Sequence, residues 1–307
     1  MPINQLYAAL REQIQQLHPQ ERQTRTRNWA WLLTGLFTSR SVHLSKIANK
    51  LPTAATLPSV TRRLSRLLSN PAVRVRAWYE PLARRALQQA SGGGIRLIVD
   101  GSKIGFSHQL LMVALAYRRR ALPIAWAWVR SPRGHSSALK QRALLSYVRQ
   151  LLPAEAAVLV VGDSEFGAVE VLRQLESWHW HYVLRQKSNH LVNTAAGTAL
   201  GTAAGQWQPL GSLLSQAGQS RWLKQVLLTQ CHAQQTNLLL HWQAGDKEPW
   251  LLATNLPEAR TAVAAYRRRM WIEEMFGDFK KHGFDLESTQ LRHFIRLSRL
   301  TFCHVSL

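Results

Sequence analysis

Two unbroken apolar runs stand in the middle of the chain, residues 95–100 (IRLIVD) and 156–163 (AAVLVVGD), and each ends on an aspartate. Runs of this length without polar alternation predict strands buried on both faces of a sheet. Between them, residues 109–118 and 121–130 are two further apolar segments around a short arginine-rich turn, which predicts an antiparallel hairpin. Helical spacing follows over 136–152 and 167–178, then a strand over 181–185, so helices and strands alternate as they do in an α/β layer. The first ninety residues differ. Apolar positions recur at helical intervals over 4–17 and 27–37, and residues 42–51 and 59–68 read as two short helices around a turn, with Ser59 as the expected cap. A Ser-Gly-Gly-Gly run at 91–94 separates the two regimes.

After residue 187 the pattern loosens into an Ala/Gly/Thr-rich stretch over 193–205, expected to be a loop, and then returns to strands over 221–230, 236–244 and 249–256. One long helix is expected next, opening at Pro257 and Glu258 and ending near Gly283. The division predicted is a helical region over 1–91 and an α/β region over 92–307, with a mainly β insertion at about 187–256. The last residues, RLSRLTFCHVSL, still read as an amphipathic helix.

Charge narrows the partner. Lys and Arg number 39 against 17 Asp and Glu, a formal net charge of +22. Nucleic acid is the leading polyanion, and an anionic membrane surface is the competitor. No apolar stretch reaches the roughly 18 to 20 uncharged residues a membrane span needs, because Arg118, Arg119 and Arg120 interrupt the longest. The polar N-terminus carries no apolar signal core, which leaves the cytoplasm as the default location. Cys231 and Cys303 are too few for a disulfide scaffold or thiolate zinc site and are expected in the core. His108, His135, His179, His181 and His190 lack zinc-ligand spacing, and neither a phosphate-cradling glycine loop nor a G-x-S-x-G nucleophile turn is present.

The candidate chemistry lies in three carboxylates. Asp100 and Asp163 each close a buried strand, the place where ligands gather in open α/β sheets. An Asp before Gly or Ser is also a common turn residue, so neither is decisive alone. In AAYRRRMWIEEMFGDFKK, Tyr266, Arg269, Glu273 and Lys280 fall at offsets of zero, three, seven and fourteen. On a continuous helix these project to about 0°, 300°, 340° and 320°, one narrow stripe, whereas Glu274 projects to about 80° and leaves it. The same stripe would equally serve as a solvated face with internal ion pairs. Crowded carboxylates repel unless a cation lies between them, and oxygen-only donors favour Mg²⁺ or Mn²⁺. Glu273 would complete the set. Arg62, Arg63 and Arg66 crowd the second short N-terminal helix, as a helix-turn-helix reader of double-stranded DNA requires, although a bundle with a basic face would look the same.

The segments IRLIVDGS and VLVVGDSEFG and the spacing Tyr266-x-x-Arg269-x-x-x-Glu273-x-x-x-x-x-x-Lys280 resemble the signature of DDE transposases of bacterial insertion sequences, of the insertion-sequence-four type. The likeness covers about residues 40–300. It implies an RNase H-like catalytic domain with a β insertion, a metal-binding triad of Asp100, Asp163 and Glu273, and phosphate contacts from Tyr266, Arg269 and Lys280. It further implies two Mg²⁺ ions, cleavage at the element's ends, strand transfer into target DNA, and a homodimer on paired ends. Relatives can pass through a DNA hairpin with a flipped base held by an aromatic residue of the insertion, for which Trp242 and Trp250 are candidates. The chain departs from the pattern after the second aspartate, where Ser164 and Glu165 replace the usual basic residue. Relatives also continue past the position of Leu307, so a shortened copy is expected. A structure-specific nuclease of the same fold and a DNA-binding remnant without catalysis are the alternatives.

Overall fold

The computed structural model describes residues 2–104, 108–131, 135–194, 206–280 and 283–306. Its first ninety residues form α1 (Ile3–Leu17), α2 (Gln23–Ser39), α3 (Leu44–Asn49), α4 (Leu57–Ser69) and α5 (Val75–Ala90). The apolar spacing located these helices, but the cap of α4 is Thr56 rather than Ser59. Pro58 explains the shift: it falls in the first turn, where a missing N–H costs no helical bond.

A single 3-10 turn at Ser91–Gly93 leads into β1 (Ile95–Ile104), β2 (His108–Tyr117) and β3 (Arg120–Arg130). The hairpin between β2 and β3 turns on Arg118 and Arg119, both at positive φ (46° and 64°), the handedness that matches the strands' own twist. Then come α6 (Ala138–Leu151), β4 (Val158–Gly162), α7 (Val169–Ser177) and β5 (His181–Arg185). Strands β6 (Leu191–Asn193), β7 (Gln208–Pro209), β8 (Ser220–Leu228), β9 (Gln234–His241) and β10 (Trp250–Thr254) complete one sheet in the order β3-β2-β1-β4-β5-β10-β9-β8-β6-β7. The centre, β1–β4–β5, is parallel. On one side β2 and β3 add antiparallel strands, and on the other β10 pairs antiparallel with β5, so the strands of the 187–256 segment continue the central sheet edge to edge. Most of the predicted loop at 193–205 lies outside the described residues.

The long helix expected after Glu258 is broken. It comprises α8 (Ala259–Tyr266), a 3-10 turn over Arg267–Arg269, and α9 (Met270–Phe279), which ends before Gly283. The tighter turn advances about 120° per residue instead of 100°, so the projection of a single exposed stripe fails across it. Finally α10 (Phe294–Val305) ties the molecule together. It packs on β3 and on α2, α4 and α5. Buried Arg299 donates to the carbonyls of Val73 (3.1 Å) and Leu68 (2.7 Å), while Trp126 and Trp128 on β3 donate to Ser298 (3.1 Å) and Thr301 (3.0 Å). These bonds satisfy polar groups that would be costly to bury alone. Cys303 is buried as expected, whereas Cys231 is exposed in the β8–β9 turn, where no core reaches it. Among the described residues no helix is long and apolar enough to cross a membrane.

Candidate active site

Parallel register brings the two aspartates together. Val99 on β1 is opposite Gly162 on β4, and the next residue on each strand is Asp100 and Asp163. Gly162 permits this spacing: a Cβ there would lie 2.6 Å from Val99 Cγ2 and 3.0 Å from Leu184 Cδ2, so any side chain would wedge β4 away from its neighbours. The sequence had Asp100 ending its strand, but β1 continues to Ile104 by pairing with β2, and Asp100 marks only the end of the parallel pairing. Asp163 does leave β4, and its Oδ1 accepts from Glu165 N at 2.9 Å, capping the 3-10 turn Ser164–Phe166. It is therefore a turn residue and a member of the acidic cluster at once.

Arg269 joins this pair to α9. Its Nη1 donates to Asp100 Oδ2 at 3.1 Å, and its Nη2 donates to Glu273 Oε1 in a short contact. The helix-borne carboxylate thus comes within one guanidinium's span of the strand-borne one. Burial pushes the Asp100 carboxyl up to about 7, and the charges of Asp163 and Glu273 add to the rise against the opposing pull of Arg269 and the Gly101 N–H. Burial works against the charge on Arg269 as well, but Tyr266, Asp100, Glu273 and Asp163 outweigh it and hold the guanidinium's pKa above its ordinary value. The arrangement is a cluster of three acids whose mutual repulsion one internal cation offsets only in part. As placed, no three His, Cys, Asp or Glu among the described residues form a ready metal cage, because the guanidinium occupies the space between the acids.

Tyr266 and Lys280 do not share an exposed face with Arg269. Tyr266 is 4% exposed, its hydroxyl has no hydrogen-bond partner among the described residues, and burial raises its pKa. Its ring meets Trp250 edge-on at 5.0 Å, and the Arg269 guanidinium carbon lies 6.0 Å from it. Trp250 therefore stands beside the cluster as part of its wall. Trp242 instead donates to the carbonyl of Asp246 at 3.0 Å in the loop after β9. Lys280 has left the helix and pairs with Glu287 at 3.3 Å. Arg62 and Arg66 are exposed on α4, while Arg63 stacks over Trp31 at 4.9 Å. A cleft of about 600 Å³ is lined by Arg22, Arg25, Arg63 and Arg66, so α2 and α4 present basic side chains to one space.

Glu165 was read only as a missing basic residue, and its placement gives it a purpose. It turns inward and accepts from Gln109 Nε2 (2.8 Å), from Ser136 N (2.7 Å) and from the Ser136 hydroxyl. Gln141 Nε2 in turn donates to its carbonyl at 3.0 Å. The carboxylate thus pins β2 and the segment after β3 to the turn that aims Asp163. A signal existed: Gln109 is a polar residue at the start of an apolar run, and at 1% exposure it needed a partner. Glu165→Ala should cost about 2–3 kcal/mol, because it orphans one buried donor, Gln109 Nε2, and removes the acceptor of the half-buried Ser136 N–H and hydroxyl. Urea unfolding of the variant checks this, and an unchanged midpoint would contradict it.

The sheet thus holds two aspartates where adjacent parallel strands stop pairing, faced by Glu273 from α9 and by Arg269 from the turn before it. The chain belongs to the transposase DDE domain family, whose match spans residues 97–304 and so includes all three acids. No curated protein matches the chain. Among solved structures, a piggyBac transposase synaptic complex with hairpin DNA superposes with a TM-score of 0.46 at 9% identity, covering 97% of this chain and 71% of that one.

Proposed function

We propose that the chain is an RNase H-like transposase that cleaves DNA at the ends of an insertion sequence and joins the freed 3′ end to target DNA. The observation that carries the reading is the approach of Glu273 to the Asp100–Asp163 pair through Arg269. The donor chemistry fits divalent metal: three carboxylates supply oxygen only, and Asp100, raised first by burial and then by the charges of Asp163 and Glu273, would be held ionised by a hard cation. Asp100, Asp163 and Glu273 would hold Mg²⁺ or Mn²⁺ once Arg269 turns away. When bound, such ions lower the barrier to in-line phosphoryl displacement by polarising the attacking and leaving oxygens.

Each remaining side chain has work consistent with its place. Arg269, released from the acids, reaches a DNA phosphate without moving its backbone, exchanging one anionic partner for another. Tyr266 keeps an unpartnered hydroxyl buried beside Trp250, so it would donate to a phosphate only once that wall opens. Lys280, just past the end of α9, supplies charge for a phosphate there in exchange for its pairing with Glu287. The helices of 1–91 form the DNA-binding region, with Arg62, Arg63 and Arg66 supplying charge, and 92–307 is the catalytic domain with its insertion at about 187–256. Two copies of the chain would act on paired element ends.

Glu273→Gln separates the reading from its rivals. Its side chain is 49% exposed, so the fold should survive the change. Purified variant and parent are incubated with Mg²⁺ and a plasmid carrying the element. The parent should cut and join, and the variant should bind DNA with nearly parental affinity while losing cleavage by more than about 100-fold. A parent that cuts but never joins is a nuclease, and one that binds without cutting is a remnant.

A further inference from the structure

A second concavity lies beyond the acids, a groove of about 1070 Å³ between the tips of β1–β3 and the segment that precedes α10. Its size reaches the upper end of ordinary ligand clefts, about 300–1,000 Å³, so it has room for more than one nucleotide. Arg130 stands on one wall and Arg292 on the other, both exposed. Between them Phe294 is 38% exposed, with the His108 ring edge-on at 5.5 Å. Among the described lining residues Glu287 is the only acid, and Lys280 pairs with it.

We propose that this groove binds single-stranded DNA, seating unpaired bases against Phe294 and His108 and their phosphates against Arg130 and Arg292. The proposal rests on the DNA-acting reading above and adds the form of nucleic acid and its place. An exposed ring between two arginines distinguishes the strand: a duplex hides its base faces in its own stack, whereas a single strand offers them to an aromatic surface. Arg130 and Arg292 supply the charge that tracks a backbone. The groove also lies in line with the chemistry. Ile104, on its edge, is four residues beyond Asp100 on β1, about 13 Å at the rise of a strand. Stacked nucleotides rise about 3.4 Å each, so a strand leaving the acids reaches the edge of the groove at Ile104 within roughly four nucleotides. Melted or displaced DNA next to the cut would thereby be held open while the acids work.

Fluorescence anisotropy of a labelled oligothymidine and of a labelled duplex, each titrated with full-length parent, Phe294→Ala and Arg292→Ala in the absence of divalent metal, tests this. Loss of one stacking platform should weaken oligothymidine binding roughly 5- to 150-fold and leave duplex binding within about twofold. Arg292→Ala should lower the salt dependence of single-strand binding. The parent oligothymidine carrying 5-iodouracil should crosslink, on irradiation, to the peptide that contains Phe294. Equal losses on both probes, no loss on either, or a crosslink elsewhere would overturn the groove while leaving the transposase reading intact. A parent that binds neither probe would overturn both.

Discussion

Asp100→Asn should make the protein more stable at pH 8 and nearly inactive. The side chain is 7% exposed, and its carboxyl is pushed up to about 7 from an ordinary 3.8. A raised carboxyl pKa means that the folded state keeps a proton the unfolded chain has released, so stability falls as pH rises from about 4 to about 7 and stays low above that. At about 1.4 kcal/mol per unit, ionising Asp100 in place costs on the order of 4 kcal/mol. Asparagine keeps the shape and the acceptor for Arg269 without the charge. The variant should therefore melt several degrees above the parent at pH 8, and the gap should close near pH 4, where the parent is protonated. Divalent metal should reverse the order by raising the parent's melting temperature and scarcely moving the variant's. Cleavage should fall by more than about 100-fold, because one of the proposed ligands is lost. A variant less stable than the parent at pH 8, or a gap indifferent to pH, would show that ionising the buried Asp100 carries no such cost.

Arg269→Gln is expected to act in the opposite sense. The guanidinium is the cation that reconciles Asp100 with Glu273, so its loss leaves Asp163 and the other two acids facing one another. Breaking a buried ion pair by removing one partner costs about 3–5 kcal/mol. Glu273 is half exposed and Asp100 can take up a proton, which together reduce the expected loss to about 2–3 kcal/mol at pH 8. The same change vacates the space between the acids. Calorimetric titration with Mn²⁺ in the absence of DNA should then show affinity about tenfold or more above the parent's, because no side chain has to be displaced. Added Mn²⁺ should also restore most of the lost stability. Cleavage should nonetheless fall, since the proposed phosphate contact is gone. Equal Mn²⁺ affinity in the two proteins would mean that Arg269 and the metal do not compete for the same acids.

Much of the site was legible in one dimension. IRLIVD and VLVVGD did form neighbouring buried strands, because a run of apolar residues without alternation has few homes other than a sheet interior. β4 ends just before Asp163, although β1 runs on past Asp100 to Ile104. Arg269 and Glu273 were in register because four residues make one turn of helix, and that pair lies within one turn even where the longer helix breaks. Tyr266 and Lys280 were misplaced by the same arithmetic, which assumed a constant 100° step through Arg267–Arg269. Glu165 was misjudged because its partners, Gln109 and Ser136, are brought to it only by the β2–β1–β4 pairing and the path of the chain into α6.

The sequence by itself determined most of the elements, the aspartates that close two buried apolar runs, the basic surplus and the match of residue types to phosphate chemistry, since each of these follows from local periodicity or from composition. It did not determine the break in the helix after Glu258 or the length of β1. The tertiary structure alone decided which charges meet. Arg269 reaches Asp100 across 169 positions of sequence, Tyr266 is sealed against Trp250, and α10 binds the first helices to β3. Pairings of that kind are selected by sheet register and by the need to satisfy every buried charge at once, and neither condition exists until the chain has folded.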